Sequence, residues 1–261
     1  MSVLHRTEVR DNALIIWNCN PTMRNALSPD YYHGLLEGLD LAKATSSVAA
    51  VILAGEGNFF CSGGNLNMLK ERRATSFEDR QTQVEKLSEI IRAVRSCPKP
   101  VIAAVEGGAA GAGLSLAMAC DMIVAADGAK FTLAYVKAGL VPDGGATYAL
   151  MQALPRATVA RMAMLAEPLS AGRMLALGAV TQVVDDGVAV DAACTLAGQL
   201  AKGPETAIAD IKTLLNQAES ATFEDQLINE RDAMAKALGG DDAQVGINAF
   251  LHKRAPVFRQ G

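Results

Sequence analysis

Near the middle of the chain an apolar run, PVIAAV at 100–105, is followed after Glu106 by GGAAGAG at 107–113, a segment of glycine and alanine alone that opens onto the helix-like LSLAMAC. Small residues let such a loop pack tightly, and a buried strand, a close-packed loop and a helix in immediate succession form one unit of an α/β core. The pattern recurs on both sides. Residues 48–54 form a continuous apolar run followed by a glycine-rich loop at 55–64, and 122–126 form another run that ends at Asp127-Gly128.

The remaining elements follow from turn and cap signals. Strand-like segments at 7–10 and 13–17 flank Asp11-Asn12, which predicts a hairpin. Ser28-Pro29-Asp30 supplies an N-cap, a first-turn proline and an early acid, which predicts a helix over 28–44. The charged stretch 75–95 reads as an amphipathic helix with a solvated polar face. Beyond Pro142 strands are few: helices are expected at 144–153, 156–165, 170–177, 189–202, 205–217 and 222–238, with a strand near 180–184. Gly239-Gly240-Asp241-Asp242 then breaks the chain before a last helix and the basic tail KRAPVFRQG.

Charge and cysteine usage exclude several function classes. With 24 basic and 28 acidic residues, a net charge of -4 and no Lys/Arg-dense run, nucleic acid is not expected as a partner. The N-terminus lacks the charged leader and apolar core of a signal peptide, and no apolar stretch reaches membrane-spanning length, so a cytoplasmic protein without membrane contact is expected. Cys19, Cys61, Cys97, Cys120 and Cys194 are scattered and odd in number, which reads as reduced thiols mostly in the core. His5, His33 and His252 lie far from the glycine-rich loops, so neither a zinc site nor a histidine-centred triad is expected.

Three segments can carry chemistry. In FFCSGGNL, at 59–66, adjacent glycines allow close backbone approach to a ligand, although an ordinary turn would look the same. At 106–113 the glycine-alanine loop precedes a helix whose free N–H groups and positive dipole end suit an anion or a polarised carbonyl. A dinucleotide fingerprint is the rival there, but the GxGxxG order is absent. In YVKAGLVPDGG, Asp143 sits between proline and two glycines, where it can be a catalytic acid or merely an N-cap or turn former. Together the segments supply backbone donors and one acid, the minimum for enolate chemistry.

The run CPKPVIAAVEGGAAGAGLSLAMACDMIVAADGAKF, with RNAL at 24–27 and FCSGGNL at 60–66, resembles the enoyl-CoA hydratase/isomerase (crotonase) superfamily, and the likeness extends to the tail GINAFLHKRAPVF. The resemblance implies an α/β fold, a crotonase-type spiral of repeated ββα units over 1–200, with a helical C-terminal oligomerisation region over 201–261. Homotrimers or homohexamers are the expected assemblies. Amphipathic segments such as AIADIKTLLNQA independently call for a partner surface.

For the site, the resemblance implies an acyl-CoA substrate whose thioester carbonyl meets the backbone N–H groups of Gly64 and Ala112. No cofactor is expected beyond the coenzyme A carried by the substrate, and no metal. Ala26, Leu27 and Ser62 inherit backbone contacts to the adenine end, and Gly63, Gly111 and Tyr135 complete the expected substrate-binding set. Hydratases of the family use two glutamates, and those positions hold Ser115 and Tyr135, which cannot act as carboxylates at neutral pH. Asp143 takes the place of the single catalytic aspartate of other branches. AYVKAGLVPDGG looks like ring-opening oxepin-CoA hydrolases or isomerases of aromatic-acid breakdown, such as phenylacetate degradation. A dehalogenase-like histidine and tryptophan are missing.

Double-bond isomerisation with Asp143 as base is therefore the leading expectation. The alternatives are a hydratase or ring-opening hydrolase in fatty-acid or aromatic-acid catabolism, and a catalytically silent acyl-CoA binder or scaffold.

Overall fold

A computed structural model describes residues 3–258, so the last three residues of the basic tail and the first two of the chain lie outside the described residues. The chain opens with the expected hairpin. β1 (His5–Arg10) runs antiparallel to β2 (Ala13–Asn18), with Arg10 opposite Ala13 and Asp11 turning in the left-handed region at φ 51°. Helix α1 (Pro29–Ala44) starts where its cap predicts, because Ser28 Oγ accepts the Tyr31 N–H at 3.1 Å. β3 (Ala50–Gly55) follows, then α2 (Leu66–Arg72) and α3 (Phe77–Ser96).

The next segments alternate between two sheets. β4 (Val101–Val105) leads to the short β5 (Gly108–Ala110) and α4 (Ala112–Met118), and β6 (Met122–Ala126) leads to β7 (Lys130–Thr132). A 3₁₀ turn at Ala134–Ala138 precedes α5 (Ala146–Ala153) and α6 (Arg156–Leu165). β8 (Leu169–Ser170), α7 (Ala171–Ala176), β9 (Gln182–Val184) and α8 (Ala189–Leu200) close the α/β part. The helices α9 (Glu205–Ala218), α10 (Phe223–Leu238) and α11 (Asp241–Leu251) make up the rest.

Six strands form the first sheet in the order β1-β2-β3-β4-β6-β9, parallel from β2 onward, and β5-β7-β8 form the second. A bridge between Cys61 and Ala109 adds the loop after β3 to the second sheet. Each turn of chain thus crosses from a long strand to a short one and on to a helix, the ββα unit that the resemblance implies. The glycine-alanine loop was expected to lack secondary structure, yet 108–110 pair as a strand. A β-carbon on Gly108 would stand 2.5 Å from the Lys130 carbonyl oxygen, so only glycine lets β5 lie this close to β7.

Because side chains alternate between the two faces, the continuously apolar β2, β3, β4 and β6 bury both faces of the first sheet at its centre, while the edge strands β1 and β9 have no buried residue. Leu14, Ile16, Val51, Leu53, Val101 and Val105 join the core shared with α1, α3 and α4. Ala13, Ile15, Ala50, Ile52, Ile102 and Val124 face α8, whose Ala189, Ala193 and Ala197 recur every fourth residue and present a stripe of small side chains to the sheet. Each branched side chain sealed this way contributes roughly 1.5–3 kcal/mol. The cysteines are less buried than expected: Cys61 and Cys97 lie in the core, while Cys19, Cys120 and Cys194 are half-buried. Among the described residues, no helix is long and apolar enough to cross a membrane.

Candidate active site

The loop after β3 and the loop before α4 are locked together by backbone geometry. Gly63 sits at φ +95°, and a β-carbon there would lie 2.7 Å from the Ala110 carbonyl oxygen and 3.0 Å from the Ala112 nitrogen. Gly113 is equally confined, since its β-carbon would fall 2.4 Å from the Cys61 oxygen. Gly111 adopts φ 52°, ψ −129°, a region open to glycine alone, and starts α4 without a side-chain cap. Among the described residues, no acceptor takes the N–H of Gly64 or of Ala112. The Ala112 N–H is one of the unpaired donors that every helix start leaves.

The 24–27 segment is sewn onto the same loop. Ser62 N–H donates to the Arg24 carbonyl at 2.9 Å, Leu27 N–H to Gly63 at 2.8 Å, and Ser62 Oγ to Met23 at 3.0 Å. Asn25, fully buried at φ 54°, donates through Nδ2 to the carbonyls of Glu56 and Phe59. Ala26 N–H also goes to the Met23 carbonyl. The amides of Ala26, Leu27 and Ser62 are therefore committed internally, and these residues can meet a purine only as acceptors, through carbonyl oxygens or the Ser62 hydroxyl oxygen.

Gly111 connects this junction to the acid, because its β-carbon position is 3.9 Å from Cζ of Tyr135. Tyr135, in the 3₁₀ turn, donates its hydroxyl to Asp143 Oδ1 at 2.7 Å. Ser115, on α4 and 1% exposed, donates to the Asp143 backbone carbonyl at 2.9 Å and lies 3.2 Å from the Tyr135 hydroxyl. Gly144 makes this approach possible: at φ +59° its β-carbon would stand 3.0 Å from Ser115 Cβ. The reading of Asp143 as a helix cap does not hold, since α5 begins at Ala146 with Gly145 as its N-cap.

Electrostatics separate the groups. Burial lifts the Asp143 carboxyl above the usual carboxylate range, while the Tyr135 hydroxyl and its own backbone N–H pull it back. Burial, then the Asp143 charge, pushes the Tyr135 phenol far above its ordinary value, so Tyr135 keeps its proton. The buried Cys61 thiol is pushed up to about 12, which removes it as a nucleophile. The histidines are elsewhere: His5 pairs with Asp30, His33 with Glu37, and His252 with the Asn248 carbonyl. Ser115 and Tyr135 stand at the lost carboxylate positions, and Tyr135 is also one of the expected substrate-binding residues. Their joint hold on Asp143 left no signal in the sequence.

The model of the family described as enoyl-CoA hydratase/isomerase matches residues 11–261. The chain belongs to that family. It is accordingly an enzyme of the crotonase type, and its solved neighbours share the fold. An enoyl-CoA hydratase from Polaromonas sp. JS666 superposes with a TM-score of 0.94 at 42% identity, covering 98% of this chain and 99% of that one. A 1,2-epoxyphenylacetyl-CoA isomerase of Escherichia coli is 37% identical over 91% of each chain. A 2,3-dehydroadipyl-CoA hydratase of the same organism is 29% identical over 96% of each.

Proposed function

We propose that this family member shifts a double bond in an unsaturated acyl-CoA thioester, through an enolate held by the N–H groups of Gly64 and Ala112. The observation that carries the reading is the half-buried Asp143 carboxylate, whose neighbours at the two expected glutamate positions are hydroxyls. Asp143 takes a proton from carbon, the C–H electrons pass onto the thioester oxygen, and Asp143 then gives a proton, exchangeable with solvent, to another carbon. Each backbone donor aimed at the oxyanion supplies roughly 3–4 kcal/mol. Ala26, Leu27 and Ser62 offer carbonyls to the adenine amino group, and the reaction needs no cofactor beyond the coenzyme A of the substrate. The likeness to the epoxyphenylacetyl-CoA isomerase supports a ring-derived acyl group.

A second reading keeps these residues but has Asp143 direct water, as a hydratase or ring-opening hydrolase. It is favoured by a cavity of about 250 Å³ that reaches Ser115 and Gly144 past Arg95, Tyr148 and Asn216. Turnover of a panel of enoyl-CoAs in deuterated water, followed by NMR and mass spectrometry, separates the two. Isomerisation gives products of unchanged composition with deuterium at carbon, and a product heavier by one water sinks the first reading.

The assembly is a homotrimer or homohexamer. Ile211 and Leu215 on α9, and Met234 and Leu238 on α10, all lie more than half exposed and need covering. Light scattering that gives the mass of a single chain contradicts this.

A further inference from the structure

We propose that Tyr135 is a positioning residue that holds Asp143 Oδ1, so that Oδ2 alone carries the proton between carbons of the substrate. The inference rests on the isomerase reading and adds to it a role for Tyr135 distinct from the substrate contact expected of it. Three observations carry it. The Tyr135 hydroxyl is 2.7 Å from Oδ1, while among the described residues no group of another residue hydrogen-bonds Oδ2. The Asp143 main chain is fixed independently, with its carbonyl taking the Ser115 hydroxyl at 2.9 Å and the Ala146 N–H at 3.3 Å. With backbone and one oxygen both pinned, rotation of the carboxylate is suppressed. The Tyr135 ring also packs beside Gly111, the residue before Ala112, which brings the Tyr135–Asp143 pair to the loop that carries the Ala112 N–H.

The proton balance is closed. A C–H bond breaks as the Oδ2–H bond forms, the electron pair resides on the thioester oxygen, and both return when the new C–H bond forms. Tyr135 keeps its own proton throughout. It stabilises the carboxylate form and thereby offsets the effect of burial. The groups facing Asp143 are Tyr135 from the 3₁₀ turn, Ser115 from α4 and the half-buried Tyr32 from α1, none of them charged at neutral pH.

Tyr135→Phe removes the donor and keeps the ring. In the full-length protein with an enoyl-CoA that it isomerises, kcat is expected to fall about tenfold or more, as for a lost hydrogen bond to a charged group, with KM changing little. The acid limb of the kcat profile moves to higher pH, because burial then acts on the carboxyl unopposed. Replacement of Tyr135 by 3-fluorotyrosine retains the packing and strengthens the donor, so the limb moves to lower pH. Wild-type kcat and an unmoved limb in both variants overturn the inference. If Tyr135→Phe does not fold, the fluorotyrosine shift decides alone. Asp143→Asn keeps the two layers of argument apart: when it is inactive and the Tyr135 variants behave as wild type, only the positioning role fails. Full turnover in Asp143→Asn removes the base, and the positioning role with it.

Discussion

Gly63 lies so close to Ala112 that a single β-carbon on Gly63 would reach to 3.0 Å from the Ala112 nitrogen. The glycine loops are therefore one unit, and the spacing of the two N–H groups at Gly64 and Ala112 depends on a residue that supplies neither. Gly63→Ala forces alanine into φ +95° as well as into the Ala110 carbonyl oxygen. A loss of stability of about 1–3 kcal/mol from the backbone alone is expected, with turnover falling further because the donors move apart. Thermal unfolding and kcat measured together check this. Unchanged values would show that the loops are not held at this distance.

Asp143→Asn is expected to lower turnover about 10²–10⁴-fold, the range of a lost general base, while acyl-CoA affinity is retained. Its stability should move the other way. Burial raises the folded-state pKa of Asp143, so the ionised carboxylate costs stability once the pH rises through that value. The amide carries no such cost. The variant should melt at or above the wild-type temperature at neutral pH, and the difference should vanish below the ordinary aspartate range near pH 4, where both states hold the proton. Calorimetry across pH measures the sign directly.

A second buried charge fastens the C-terminal helices. Lys212 on α9, 6% exposed, reaches Asp121 Oδ2 at 2.7 Å and donates to the carbonyls of Val94 and Lys99. Asp121 also accepts the Val101 N–H, so the pair ties α9 to the first strand residue of β4. Lys212→Met keeps the stem but strands the carboxylate, and should cost about 3–5 kcal/mol. Burial already raises Asp121 and Lys212 pulls it back, so without Lys212 the carboxyl takes a proton at higher pH. The deficit should be deepest at neutral pH and shrink as the pH falls through the acid range. Urea midpoints at several pH values would show a constant deficit if packing alone were lost.

Elements that announce themselves chemically were legible in the sequence. Ser28-Pro29-Asp30 placed the start of α1, and the apolar runs at 48–54, 100–105 and 122–126 became central strands, because strands buried on both faces must be continuously apolar. Helix α2 was missed because it buries no residue and so has no periodicity; its only marks are the Asn65 cap and the closing Lys70 and Arg72. The second sheet was missed because its strands are two or three residues long, and β5 has no branched or aromatic side chain. At the site, the glycines pointed to the loops and PDGG to the acid. The Tyr135–Asp143 bond was invisible, since it depends on a 3₁₀ turn closed by the left-handed Gly139, which sets the path between the two residues.

Gly64 separates the role of a side-chain-free position from the role of an N–H group. Its backbone is not in the left-handed region, and an added β-carbon would meet nothing closer than Leu69 Cδ1 at 3.4 Å, an ordinary contact. Gly64→Ala should therefore fold with a melting temperature close to that of the wild type, and it keeps the donor. Gly64→Pro has no N–H and fixes φ, so it should lose turnover by about 10²–10³-fold, the effect of deleting one oxyanion donor. The comparison matters because either variant alone is ambiguous: proline also stiffens the loop, and alanine alone tests only space. Circular dichroism and melting temperature establish whether the proline variant is folded, and acyl-CoA affinity establishes whether the loop still receives substrate. A folded, binding-competent Gly64→Pro protein with near-normal kcat would mean that the thioester oxygen is not held by this amide, leaving Ala112 to act without it.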